Sequence, residues 1–317
     1  MKTLKPSFST VRGRFGRLCA AVCLLFAAFP AQAQQTLPLT RHRGHLYTEA
    51  LLQDSLPVRI MLESGIPFPL IDSALVWSHP DLFHPEKLDR PVRFRMAAGV
   101  LYTASYKLGP GLSAGLSRSL RDTYVVDLGK HSAEMLYPLN HFTSDSVSRP
   151  GIFGLDMRGG SLRMLAGDEL PAPGGEWTAY DMTRDERTGM YCVAGSLTLV
   201  NARGRRTEAP VRLVVDLGNA TLLALFAYRP EVKRFVARSR IAKQDAVTPA
   251  GKTMRVLQPA ETVFMGAYGF TGLPVLLLET PMRLPGDAFL GLPFFERFRV
   301  IFDFRHSRLW VAASDAG

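Results

Sequence analysis

The stretch Pro57-Val58-Arg59-Ile60-Met61-Leu62-Glu63-Ser64-Gly65 recurs 153 residues later as Pro210-Val211-Arg212-Leu213-Val214-Val215-Asp216-Leu217-Gly218. Each copy is an apolar run that delivers a carboxylate into a glycine turn. Apolar runs of this length bounded by glycine read as strands. A chain that presents the unit twice can bring two carboxylates together, the minimum equipment for acid/base activation of a water.

The repeat extends outward from the carboxylates. Upstream, Gly44 to Gln53 and Met190 to Val200 each read as a strand leading into a hairpin. Downstream, the segment from Phe94 to Tyr102 turns at Ala98-Gly99, and the segment from Val247 to Met254 turns at Ala250-Gly251. The spacing from carboxylate to hairpin glycine is 36 residues in the first half and 35 in the second. Further on come Ile152-Phe153-Gly154-Leu155 and Phe289-Leu290-Gly291-Leu292, apolar-apolar-Gly elements read here as counterparts. Strand signals dominate, and the helical candidates are short, around Arg229 to Ala242 and Pro293 to Arg297. The expectation is an all-β chain of two related lobes, residues 34–172 and 173–317, divided in the Pro/Gly-rich segment Gly167 to Gly175.

Residues 1–33 read as an export signal. Lys2, Lys5, Arg12, Arg14 and Arg17 form a basic start without an acidic residue, Leu18 to Phe29 is a short apolar core, and Ala31-Gln32-Ala33 is a small-x-small cleavage site. Cleavage would remove five positive charges and lower the net charge from +10 to +5 over 284 remaining residues. Much of the basicity is therefore targeting. Arg203, Arg205 and Arg206 around Gly204 read as a solvated loop, and no basic stripe with interleaved aromatics points to nucleic acid. Cys192 is the one cysteine left, so packing without an internal disulfide must hold the exported chain. A periplasmic or secreted monomer from a Gram-negative bacterium, with no membrane segment after cleavage, is expected.

In their order, these elements resemble the retropepsin and pepsin clan of aspartic proteases. In that clan each lobe carries an Asp-Thr/Ser-Gly turn, a hairpin flap, and an apolar-apolar-Gly strand crossing behind the turn. The segment Phe289 to Phe304 is similar to the closing part of bacterial retropepsin-like lobes. The resemblance implies a two-lobed pepsin-like acid protease fold with a central cleft for a peptide or protein. It places the catalytic carboxylates at Glu63 and Asp216, the hydroxyl positions at Ser64 and Leu217, and the turn glycines at Gly65 and Gly218. Tyr102, in the first hairpin, is the candidate flap residue that would cover a bound peptide; its alternative is an outward strand position.

Two of those positions depart from the clan's pattern. Glu63 keeps the charge but adds a methylene, which shifts the carboxyl by more than an ångström on an unchanged backbone (about 1.5 Å per bond). A shift of about 1 Å can cost on the order of a hundredfold in rate. Leu217 cannot donate the hydrogen bond that a Thr or Ser would. The sequence therefore favours a degraded dyad that binds peptide or protein, with an active endopeptidase using Glu63 and Asp216 as the alternative.

Other motifs carry less. Val125-Val126-Asp127-Leu128-Gly129 matches the second turn residue for residue, yet it follows the first hairpin and lacks the Pro-Val-Arg lead-in, so Asp127 reads as a strand end. His42, His45, His79 and His84 read as surface positions without the convergence that metal binding requires. No phosphate loop or Gly-x-Ser-x-Gly elbow occurs, and no cofactor is expected.

Overall fold

A computed structural model describes residues 36–313 apart from 97–99, 116, 130–131, 144–148, 173–174, 248–252, 261, 266–267 and 271–272. Strands make up most of it. The reason is local: β-branched and aromatic runs alternate between buried and exposed at their outer ends and become continuously buried near the centre. In Arg206–Asp216 the first five residues alternate between exposed and half-buried, whereas Leu213 to Asp216 are all buried. Leu56–Glu63 behaves likewise, with Ile60 to Glu63 all buried. A strand that enters the core end-on must be apolar on both faces. Both carboxylates thus arrive at the innermost ends of such strands.

The strands fall into three groups. One is built from the first half, around the antiparallel pair His45–Leu52 with Leu56–Glu63. A second repeats it in the second half, around Tyr191–Val200 with Arg206–Asp216. The third draws on both halves: the start of Thr36–His42, Ser161–Met164, Ile152–Asp156, Phe298–Asp303, Arg308–Ala313 and Trp177–Arg184 pair in that order, every pair antiparallel. The main apolar core runs through both halves, from Leu46 and Val58 to Phe302 and Val311.

Behind each carboxylate turn runs a parallel strand. In the second half it is Ala288–Gly291, with Asp216 opposite Gly291. Gly291 must be glycine, because a Cβ there would run into the carbonyl oxygens of Thr221 and Asn219. Its amide donates to Leu222 O at 2.9 Å and the next amide, of Leu292, to Asn219 O at 2.8 Å, so this strand fixes the turn.

In the first half the corresponding strand is Met135–Pro138, with Pro138 opposite Glu63. This corrects the sequence expectation. Ile152–Asp156, which contains Gly154, pairs instead with Phe298–Asp303 in the shared group and is the counterpart of that strand. Met135–Pro138 escapes the repeat search because Pro138 stands where Gly291 stands.

Two short helices, Ser73–Ser78 and Pro80–Phe83, replace the loop expected around His79 and His84. Asp72 caps the first through Ala74 N at 2.8 Å, and Pro80 opens the second, where its missing N–H costs nothing. Helices at Pro230–Ser239 and Leu292–Phe295 fall inside or beside the expected spans. The hairpin turns expected at Ala98-Gly99 and Ala250-Gly251 lie outside the described residues; their arms are Glu86–Arg95 with Leu101–Leu108, and Lys243–Val247 with Thr253–Ala260. Among the described residues, no helix is long and apolar enough to cross a membrane.

Candidate active site

Glu63 and Asp216 meet. Each is almost fully buried, at 3% and 6% exposure, and their carboxyl groups hydrogen-bond to one another. Two carboxylates cannot both be ionised at that contact, so the pair must hold a proton between them.

Each carboxyl lies over the glycine of the opposite turn. A Cβ at Gly65 would sit on the Asp216 carboxyl, and a Cβ at Gly218 would coincide with that of Glu63. The turn glycines are therefore required by close approach rather than by backbone conformation. The extra methylene of Glu63 is accommodated here: its carboxyl lies at the Gly218 turn as that of the shorter Asp216 lies at the Gly65 turn.

The electrostatics are unequal. Burial pushes Glu63 well above the ordinary carboxylate range, the neighbouring Asp216 charge pushes it further, and the Ser64 and Gly65 N–H groups offset only part of this. Asp216 is raised by burial to about 7, with the Gly218, Glu63, Asn219 and Gly65 hydrogen bonds opposing. Its Oδ1 accepts from Gly218 N at 3.1 Å. Glu63 is the group that keeps the proton and Asp216 the one that ionises first.

Both groups titrate higher in the folded chain than at the unfolded value of about 4. Folding therefore takes up protons, and the pair's stabilising contribution is fully present below about pH 4 and lost as pH rises towards about 7. Asp216→Asn removes the buried charge. Thermal melts from pH 4 to pH 8 should then show a flatter stability profile than the wild type and a higher relative stability at pH 8.

The support of the two turns is one-sided. Ser64 Oγ donates to Val215 O and accepts from Leu217 N, both at 3.0 Å, crossing from one turn to the other. Leu217, fully buried, makes no reciprocal bond. Ser64→Ala would orphan a buried N–H and a buried C=O. The expected loss is about 1–3 kcal/mol for each orphaned group, read from denaturant unfolding; an unchanged midpoint would show the crossing bonds to be idle.

No protein-family model matches the chain, and no curated protein matches it. Among solved structures, the crystal structure of aspartic proteinase from Irpex lacteus matches over 89% of this chain and 98% of its own, with a TM-score of 0.51 and 11% identity. The fold is pepsin-like. At that identity the likeness concerns the pepsin-like fold alone, and what the site does rests on its own residues.

Tyr102 lies in the strand Leu101–Leu108, opposite Phe94. Its ring is buried at 6% exposure with Tyr47, Met61, Ile66 and Leu128, so it is not an outward residue. Its hydroxyl is pushed up to about 12, chiefly by burial and then by the charges of Glu63 and Asp127. It stays protonated beside the dyad. Tyr47 also feels the Glu63 charge, and Arg59 covers its ring at 4.4 Å.

Asp127 is exposed and accepts from Gly129 N at 2.9 Å, within its own turn. It ends the strand Thr123–Val126, which pairs in parallel with Leu70–Asp72 as Leu273–Leu277 pairs with Leu223–Leu225. Asp127 and Asp216 therefore occupy different places in the pepsin-like repeat despite their identical pentapeptides. Cys192 is buried and its thiol is pushed up to about 11 by burial, so it is an unreactive packing residue. Among the described residues, no three His, Cys, Asp or Glu side chains gather as a metal site.

His45, expected at the surface, is half-buried, and burial lowers its pKa. A cavity of ≈ 310 Å³ also went unforeseen. Arg95 and Met96 from the first hairpin line it together with Met254, Arg255, Leu278 and Glu279 of the second half.

Proposed function

We propose that this chain is an exported aspartic-type peptidase, with lobes 34–172 and 173–317 enclosing a peptide between them. One observation carries the reading: the apposition of the Glu63 and Asp216 carboxyls, each against the glycine of the opposite turn, which supplies a base and an acid at one point. Asp216, ionised, takes a proton from water as the water oxygen bonds to the scissile carbonyl carbon. Glu63 gives its proton to the carbonyl oxygen, producing a tetrahedral diol. As the C–N bond breaks, Asp216 passes its proton to the leaving nitrogen and Glu63 recovers one from a diol hydroxyl. The products are an acid and an amine, and the dyad is restored.

A second reading is supported by the burial of the dyad and by the ≈ 310 Å³ cavity at the hairpin ends, whose lining includes neither Glu63 nor Asp216. On this reading the chain binds peptide without cutting it. Digestion of an unbiased peptide library from pH 3 to pH 8, with Asp216→Asn beside the wild type, separates the two. Cleavage lost in the variant supports the peptidase. Peptide capture without cleavage at any pH supports the binder.

A further inference from the structure

We infer that Asn140 is a positioning residue for the dyad, tying the strand behind Glu63 to the hairpin that leads into the neighbour of the Asp216 strand. Glu63 and Asp216 come from different halves of the chain, so their apposition depends on what holds the halves in register. At the turns themselves Ser64 does so, through Val215 O and Leu217 N, and Leu217 returns no such bond. Asn140 supplies a further tie, one strand away from Glu63.

Met135–Pro138 runs parallel to the Glu63 strand, with Pro138 opposite Glu63. The chain then makes a short 3₁₀ turn, Leu139–His141, with all of its residues buried. From this turn Asn140 Nδ2 donates to Gly189 O at 2.9 Å, a buried bond from the first half to the second. Oδ1 of the same amide is buried without a partner, so the donor end is the one the fold uses.

Gly189 lies in the turn between Trp177–Arg184 and Tyr191–Val200. That turn is stiff. Gly189 N donates to Asp185 O at 2.7 Å and Asp185 N to Met190 O at 2.9 Å, while Asp185 Oδ1 accepts from Thr188 N at 2.8 Å and Thr188 Oγ1 at 2.7 Å. Just beyond it, Cys192 pairs with Val214 in the strand that ends at Asp216. The Asn140 bond therefore joins the neighbours of the two carboxylate strands. The approach is close as well: Gly189 has a φ of 74°, and a Cβ there would run into the His141 ring and lie 3.1 Å from Arg121 Nη2. Arg121 Nη1 in turn donates to Pro67 O at 3.4 Å, in the continuation of the Gly65 turn. Asn140 acts on the dyad through these strands and turns.

Hydrogen exchange at the Leu217 amide reads the register of the halves, because its partner, Ser64 Oγ, lies in the other half. The measurement requires no turnover, so it is independent of whether the chain cleaves or only binds. Asn140→Leu, which keeps the shape and removes the donor, should speed this exchange by about tenfold, the scale of one net hydrogen bond. The ladder between Tyr191–Val200 and Arg206–Asp216 should keep its wild-type exchange. Asn140→Gln, which keeps a donor, should restore slow exchange at Leu217. Should Asn140→Leu not fold, Asn140→Ala, which puts no apolar branch against Gly189 O, gives the same comparison. An unchanged Leu217 amide with acceleration confined to residues 185–190 would overturn the assignment, as would acceleration spread evenly over the chain or equal acceleration in Asn140→Gln.

Discussion

Asp216→Asn is expected to lower peptide hydrolysis by on the order of 10²–10⁴-fold, the typical range for removing a positioned general base. Asn keeps the shape and the contact with Gly218 N but cannot take the proton from water. Glu63→Gln should be similarly damaging for the complementary reason, because its amide can support the carbonyl oxygen but cannot deliver a proton. Glu63→Asp is the more discriminating change. It would match the standard motif, yet it moves the carboxyl from its present place over Gly218. Shortening it withdraws the acid by about an ångström, and activity should fall on the order of a hundredfold. Initial rates on one cleaved peptide across the pH range would read all three. A gain in Glu63→Asp would mean that the present geometry is a poor version of the standard one.

Gly218→Ala carries the second large effect. A methyl at this position would occupy the space of the Glu63 carboxyl, and the apposed Gly65 stands in the same relation to Asp216. The group that must move is the Glu63 carboxyl, which is itself buried. Overpacking of this kind costs about 1–3 kcal/mol. Here it would also part the two carboxyls, so the raised titration of Glu63 should fall back towards the ordinary range as hydrolysis disappears. Denaturant unfolding together with the pH–rate profile would show both. A variant with wild-type stability and rate would mean that the carboxyl does not rest on Gly218.

The centre was legible because its chemistry is local in sequence. A buried strand, a carboxylate and a glycine occupy consecutive positions, and the requirement for glycine holds in both turns. Gly291 was legible for the same reason, since the carbonyls behind it exclude any side chain. Its first-half counterpart was not, because Pro138 meets that place with different chemistry and Gly154 supplied a false match in the shared group of strands. The helices Ser73–Ser78 and Pro80–Phe83 were hidden by Pro80 and Pro85, which read as loop punctuation although Pro80 opens a helix.

The burial of His45 was hidden because the hairpin it opens packs on residues remote in sequence, Gly44 lying against Ala220. The meaning of Glu63 was likewise conformational. From the sequence its extra methylene is a displacement; in the fold its carboxyl still rests at Gly218, as the shorter Asp216 rests at Gly65.

The central claim is that Glu63 and Asp216 share a proton. Titration of ¹³C-labelled Glu and Asp carboxyls in the wild type and in Asp216→Asn tests it most directly. The account predicts two well-separated steps for the wild-type pair, with one proton still held near neutrality, and a single Glu63 step in the variant. Two carboxyls titrating independently near the unperturbed value of about 4 would contradict it.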